Sequence, residues 1–414
     1  MTMNPRSLCE AANPNRRRLL AASGAMFAWA NMPKIASAAG ARDPRFVVIV
    51  LRGALDGLST VGPIGDPDYA GLHGDIALTS SGANAGLPLD SFFALNPGMP
   101  NFHRLFGARQ AAVIHAVATP YRERSHFDGQ DVLESGMAGP GFTQTGWLNR
   151  ALAAMPSGER VNTRNGLSVG VMTPLVMRGP APVMGWAPQS LQPAGDDLAR
   201  RLVDLYRHTD PNLADALSRG LDADRIASRE MNGEKGSRGG MDTVAGMAQA
   251  ARGAARLIAA DDGPRIAALA FEGWDTHANE GGPRGRLAQL LSGLDGAFAE
   301  FEKTLGAKWR DTFIVAVTEF GRTARINGTT GTDHGTATVA LLAGGAVAGG
   351  RVIADWPGLR PASLYQNRDL KPTTDLRAVL KGALADHLGL SAAVLAKSVF
   401  PDSALVRPTP GLVV

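Results

Sequence analysis

The chain has 414 residues, 44% of them apolar, one cysteine and a formal charge of +4, a length that supplies ample core for a large α/β domain. Residues 1–38 carry five basic side chains (Arg6, Arg16, Arg17, Arg18, Lys34) against one acid (Glu10), so the remainder is near neutral and the high pI is no sign of a nucleic-acid-binding surface. Cys9 lies in the same segment, which leaves residues 39–414 without a thiol, a disulfide or a cysteine-ligated metal, so any metal there must be held by His, Asp and Glu.

In chain order, the arginine triplet 16–18, the apolar run "LLAASGAMFAWANM" and the small residues Ala36-Ser37-Ala38 read as a signal peptide spanning 1–38, cleaved near Ala38. The run is too short and too rich in Ala and Gly for a transmembrane span. The paired arginines point to the twin-arginine export machinery and hence to the periplasm. A linker at 39–44 follows, then a single domain over 45–414.

Within that domain, continuous apolar runs at 45–53, 111–118, 166–172, 266–273, 312–321 and 337–345 predict buried strands. Helical periodicity occupies about 198–220, 242–260, 284–305 and 374–390, and the polar, Gly-rich stretch 229–242 reads as a surface loop. Continuous apolar runs suit strands covered on both faces. Strand–helix alternation therefore predicts a three-layer α/β/α domain with a mostly parallel central sheet.

Open parallel sheets bind ligands beyond the carboxyl ends of their strands, which directs attention to the residues after each run. They are "LRGALDGLST" with Arg52, Asp56 and Ser59, and "TPYRERSHFDGQDVLESG" with Arg124, Ser125 and His126. Next come "FEGWDTHANEGG" with Asp275 and His277, and "TEFGRTARINGTTGTDHGT" with Glu319, Arg322, Asp333 and His334. His115 sits inside a strand and reads as a core histidine, while His73, His103, His208 and His387 read as surface or helix positions.

Taken singly, these residues have ordinary uses. Asp56 can be a turn residue, Asp128 and Ser125 can belong to a helix start, and Asp275-x-His277 can be a solvated turn. Taken together, carboxylates and imidazoles at four strand ends suit Zn, Mn or Mg, as one ion or two. Such a site hydrolyses charged esters well. Ser125, ahead of a helix and behind arginines, is the first choice as nucleophile and Ser59 the second. Arg52, Arg124 or Arg322 would clamp a small anionic ester, and His126 would orient the nucleophile or act as acid.

The segments "FVVIVLRGALDGLSTVGPIGDPDY", "RERSHFDGQDVLESG", "GWDTHANE", "VTEFGRT" and "GTDHGTATVALLAGG" together resemble the bacterial family known as domain of unknown function 1501, from about Phe46 to at least Trp356. That family is in turn similar to the alkaline phosphatase and sulfatase superfamily. The resemblance implies an alkaline phosphatase-like fold and two metal sites sharing Asp56, Asp275, His277, Glu319 and His334, with Ser125 as nucleophile. Two features depart from the superfamily pattern. Glu319-Phe320 stands where an Asp-His pair belongs, so that His126 or Asp333 must compensate or only one ion binds tightly. The Asp275–His277 spacing is also short.

These readings converge on an exported metal-dependent hydrolase of phosphate or sulfate esters. The alternative is a non-catalytic secreted binding or assembly protein that keeps the fold. A Ser-His-Asp esterase using Ser125 or Ser59 is a third reading, weakened by the lack of G-x-S-x-G.

Overall fold

Every residue of strand β1 (Arg45–Leu51) is buried, as its unbroken apolar run requires. Phe46, Val48 and Val50 enter one apolar layer while Val47, Ile49 and Leu51 enter another, because successive side chains of a strand point to opposite faces. A computed structural model describes residues 42–155, 166–188, 196–221 (apart from 212, 215, 216 and 219) and 240–414. The expected signal segment 1–38 and most of the loop 229–242 lie outside the described residues. Residues 43–414 cluster as one compact unit.

Among the described residues the main sheet has nine strands. After β1 come β2 (Ala111–Ala118), β3 (Gly166–Val169), β4 (Val183–Trp186), β5 (Ile266–Phe271), β6 (Thr312–Val317), β7 (Thr338–Ala343), β8 (Arg351–Ile353) and β9 (Thr374–Asp375). They lie in the order β8-β2-β7-β6-β1-β5-β3-β4, with β9 also paired to β2. All pairings are parallel except those of β7, which runs antiparallel to both β2 and β6. The run at 337–345 is therefore a strand, as expected, but one that reverses direction. The β4, β8 and β9 segments are only four, three and two residues long, too short to announce themselves as apolar runs.

Helices cover both faces. Pro100–Gly107, Val244–Ala259 and Arg286–Leu305 pack on the Val47 face, and Trp147–Ala154 and Leu376–Leu388 on the Val48 face. The protein thus has the three-layer α/β/α architecture with a mostly parallel sheet. No helix among the described residues is long and apolar enough to cross a membrane.

Register decides what meets what. Leu51 pairs with Phe271 and Val50 with Val317, so the segments after β1, β5 and β6 leave the sheet at one level. Thr338 pairs with Val117, so the segment entering antiparallel β7 arrives beside the segment leaving β2. Reversal of β7 is what returns the 318–337 loop to the edge it left.

Candidate metal centre

His126 is the first residue of a ten-residue helix, His126–Ser135, that follows β2. Asp275 and His277 follow β5, and His334 lies just before β7. Across these loops the Nε2 of His334 stands 2.9 Å from Nε2 of His126 and 2.9 Å from Nε2 of His277. The Asp275 carboxylate approaches all three rings: 3.5 Å from His126 Nε2, 3.4 Å from His334 Nε2 and 3.2 Å from His277 Nε2. One ligand atom each from His126, Asp275 and His334 falls within 4.8 Å of the others, a spread that a single divalent ion can span.

The opposite nitrogen of every ring has a fixed acceptor. His126 Nδ1 donates to Glu319 Oε1 at 2.8 Å, His277 Nδ1 to Asp333 Oδ1 at 3.3 Å, and His334 Nδ1 to the Arg124 carbonyl at 3.0 Å. These partners assign the tautomers: with Nδ1 protonated, each Nε2 presents a lone pair to the shared centre. Three imidazole lone pairs and a carboxylate pointing at one another repel unless a cation lies among them, either a metal ion or a proton on His126. Outer carboxylates and carbonyls on Nδ1 are the usual support of metal-bound histidine.

Electrostatics reinforce the arrangement. The hydrogen bond that His126 donates to Glu319 raises the pKa of His126. Burial, then the neighbouring charges of His126 and Arg322, lower that of His334. Burial pushes the Asp275 carboxyl up, but Arg322, His277 and His126 outweigh it and keep the group ionised. Arg322 is itself buried and donates through Nη2 to Asp275 Oδ1 at 2.7 Å.

Several predicted site residues hold other positions than the sequence suggests. Glu319 is not turned to the centre. Its Oε1 accepts from Gly53 N, His126 Nδ1 and Gln130 Nε2, and its Oε2 from Thr318 Oγ1, so it aligns His126 from behind. Asp333 likewise serves His277, and accepts from Asn327 as well. Asp56 is not brought into the cluster. It is buried, caps the Gly57–Thr60 turn by accepting from Leu58 N and Ser59 N, and lies 3.4 Å from His73 Nε2. His126 takes the inward-facing place rather than that of an acid beside a nucleophile.

The three arginines are all engaged. Arg52 pairs with Glu134 and Glu272, Arg124 with buried Asp369, and Arg322 with Asp275. Arg124 also adopts a left-handed backbone (φ 61°), which turns its carbonyl toward His334. Arg52 and Arg124 are committed to these carboxylates, whereas Arg322 Nε and Nη1 are buried without a hydrogen-bond partner beside the centre. Ser125 has the extended backbone of a helix cap, yet its side chain makes no capping bond. Ser59 is wholly buried, bonded to His73 Nε2 at 3.0 Å.

His73 and His387 lie in helices, Tyr69–His73 and Leu376–Leu388, with their side chains buried rather than at the surface; His115 is the core histidine expected of it. His73 Nδ1 goes to the Ala324 carbonyl rather than to a carboxylate, so Ser59, His73 and Asp56 do not form the relay of a serine hydrolase. Phe320 packs 5.1 Å from the His126 ring and 5.3 Å from the His334 ring, which makes it a wall of the centre, and Trp274 is buried behind Asp275. Glu280 and Asp369 were missed. Their only signal in the sequence is a carboxylate in a polar loop, which is too common to single out.

Comparison with known proteins agrees with the motifs. The family described as "Protein of unknown function (DUF1501)" matches residues 107–399. No curated protein matches the chain. Among solved structures the chain is similar to PsFucS1 sulfatase from Pseudoalteromonas sp., with 13% identity, a TM-score of 0.37, and coverage of 97% of this chain and 77% of that one. It is also similar to phosphonate monoester hydrolase of Agrobacterium radiobacter, with 12% identity, a TM-score of 0.31, and coverage of 84% and 74%. A third is the C-terminal periplasmic domain of EcEptC from Escherichia coli in complex with Zn, with 10% identity, a TM-score of 0.36, and coverage of 88% and 87%.

Proposed function

The chain belongs to the DUF1501 family, and we propose that it is an exported, metal-dependent hydrolase of phosphate or sulfate esters. The observation that carries this reading is the convergence of His126, Asp275 and His334 ligand atoms within 4.8 Å, with His277 beside them and every ring fixed through its other nitrogen. The donor set, imidazole nitrogens with a carboxylate oxygen, fits Zn or Mn better than Mg. When bound there, a divalent ion supplies Lewis acidity and lowers the pKa of a coordinated hydroxyl or water.

The chain's own residues do the rest. Asp275 supplies negative charge at the centre, and buried Arg322 keeps it ionised. Glu319, Asp333 and the Arg124 carbonyl hold the rings in the tautomer that can ligate. Ser125, next to His126 at a helix N-terminus and free of a capping bond, is the proposed nucleophile, its developing alkoxide favoured by the helix dipole. The arginine triplet and the Ala36-Ser37-Ala38 site favour twin-arginine export, cleavage near Ala38 and a periplasmic location.

A specific observation favours a second reading. Arg52 and Arg124 are paired with carboxylates, and the unpartnered Nε and Nη1 of Arg322 are buried out of reach of solvent, so no arginine is exposed at the centre as an anion clamp, as expected of a non-catalytic protein retaining one ion. Elemental analysis of the purified protein, followed by a screen of phosphomonoesters, phosphodiesters and sulfate esters, separates the two. Bound metal with ester turnover that chelators abolish supports the hydrolase. Bound metal without turnover supports the binding protein, and a metal-free protein that takes up none on titration defeats the hydrolase.

A further inference from the structure

We propose that Glu280 is a positioning residue that locks the two ligand loops of the metal centre, 275–277 and 332–334, to each other and to the turn after β1. The inference rests on the metal-centre reading above. A single oxygen, Glu280 Oε2, accepts from Thr276 Oγ1 at 3.1 Å and from Thr332 Oγ1 at 2.7 Å. Thr276 lies between Asp275 and His277, and Thr332 lies two residues before His334. Thr332 N also donates to the Thr276 carbonyl at 3.3 Å, so the loops touch at the level of Glu280.

The far side of Glu280 is anchored as well. Its carboxyl group meets the Asp56 carboxylate and the Ser59 hydroxyl. Asp56 Oδ1 is held by Leu58 N and Ser59 N, and Ser59 Oγ by His73, whose other nitrogen is fixed to the Ala324 carbonyl. The oxygens left without a donor, Asp56 Oδ2 and Glu280 Oε1, are the two that one shared proton satisfies. Burial and the Asp56 charge both push Glu280 well above the usual carboxylate range, consistent with Glu280 carrying that proton. Asp56, Ser59, His73, Thr276, Glu280 and Thr332 are all buried. A wholly buried polar network is costly unless every member is satisfied, and this one is satisfied only with the ligand loops in place.

The division of labour is specific. His126 is aligned by Glu319 from the β6 side, whereas His277 and His334 sit on the two loops that Glu280 joins. Loss of Glu280 therefore disturbs these two rings first, and reaches His126 only through its contact with His334.

The test uses the full chain with Glu280→Ala, Glu280→Gln and the double variant Thr276→Val/Thr332→Val. Zinc affinity is read by competition with a chromophoric chelator, and the imidazole rings of the metal-free protein by long-range proton–nitrogen NMR. Glu280→Ala should weaken zinc at least about tenfold, as loss of an outer partner does, and shift the His277 and His334 rings more than His126, which Glu319 still holds. Glu280→Gln keeps an acceptor for the threonines and a donor for Asp56, and should restore both readouts. The double valine variant should reproduce Glu280→Ala, and decides the matter if Glu280→Ala does not fold. Wild-type zinc affinity and ring spectra in a folded Glu280→Ala or double valine variant overturn the proposal. If the wild type binds no zinc, the metal reading fails while the ring spectra still decide whether Glu280 holds the loops.

Discussion

His126 and His334 face each other through their Nε2 atoms at 2.9 Å, although each ring already donates from Nδ1, to Glu319 and to the Arg124 carbonyl. Two lone pairs at that distance need a cation between them, and a divalent ion competes for that place with a proton on His126, which the Glu319 hydrogen bond favours. Purified protein should therefore contain divalent metal, and His126→Ala or His334→Ala should lower zinc affinity beyond the 10–100-fold typical of an outer partner. Inductively coupled plasma spectrometry and chelator competition measure this; full metal content in both variants would place the ion elsewhere.

Glu319→Gln tests the outer shell. Glutamine keeps the shape and can still accept, but it removes the charge that raises the pKa of His126. Metal affinity should fall about 10–100-fold with the fold intact by circular dichroism. An unchanged affinity would mean that Glu319 only fills space.

Ser125→Ala should leave metal content unchanged and cut ester hydrolysis by about 10³-fold or more, the scale of loss when a nucleophile is removed. Steady-state rates on the best ester found in the screen supply the measurement. Full turnover by this variant would exclude Ser125 as nucleophile, and leave the metal assignment standing.

Gly53 holds β1's exit against the β5 loop. Its φ is +122°, its N–H donates to Glu319, and an added Cβ would lie 2.4 Å from Asp275 N. Gly53→Ala should lose about 1–3 kcal/mol from the backbone conformation alone, and more from the clash. Urea denaturation reads the loss. Metal binding should weaken in parallel, since the displaced groups are Asp275 and Glu319.

His115 provides a pH test remote from the centre. Burial pushes its pKa down from the ordinary 6.5 to about 4. The unfolded chain takes up a proton as pH falls through 6.5, while the folded chain refuses it until about 4. Stability is thus lost on acidification across that window, by about 3 kcal/mol at its lower end. Compared with wild type, His115→Gln should show a shallower fall in unfolding free energy between pH 7 and pH 4.5. Parallel profiles would count against the assignment.

Much of the architecture was legible in the chain because a fully covered strand needs an unbroken apolar run. β1, β2, β5 and β6 announce themselves that way, and the polar residues just beyond them, from Asp275 to His334, are where ligands gather in such sheets. The reversal of β7 was not legible, since an apolar run has no direction until it pairs. The roles of Glu319 and Asp333 were not legible either, because a carboxylate that touches an ion and one that touches the back of a histidine look the same in a sequence.

The sequence by itself determined the layers, the strand edge that bears the chemistry, and a short set of residues able to do it, because these follow from local periodicity and side-chain type. Only the tertiary structure decided which members face the centre. Register brought His126 in where Phe320 left a gap. It turned Arg52, Arg124 and Arg322 toward carboxylates, and it placed Asp56 behind the centre with Glu280. Those choices depend on distances of a few ångströms between segments far apart along the chain, as in the hydrogen bond from Gly53 to Glu319, 266 residues away, and no local pattern encodes them.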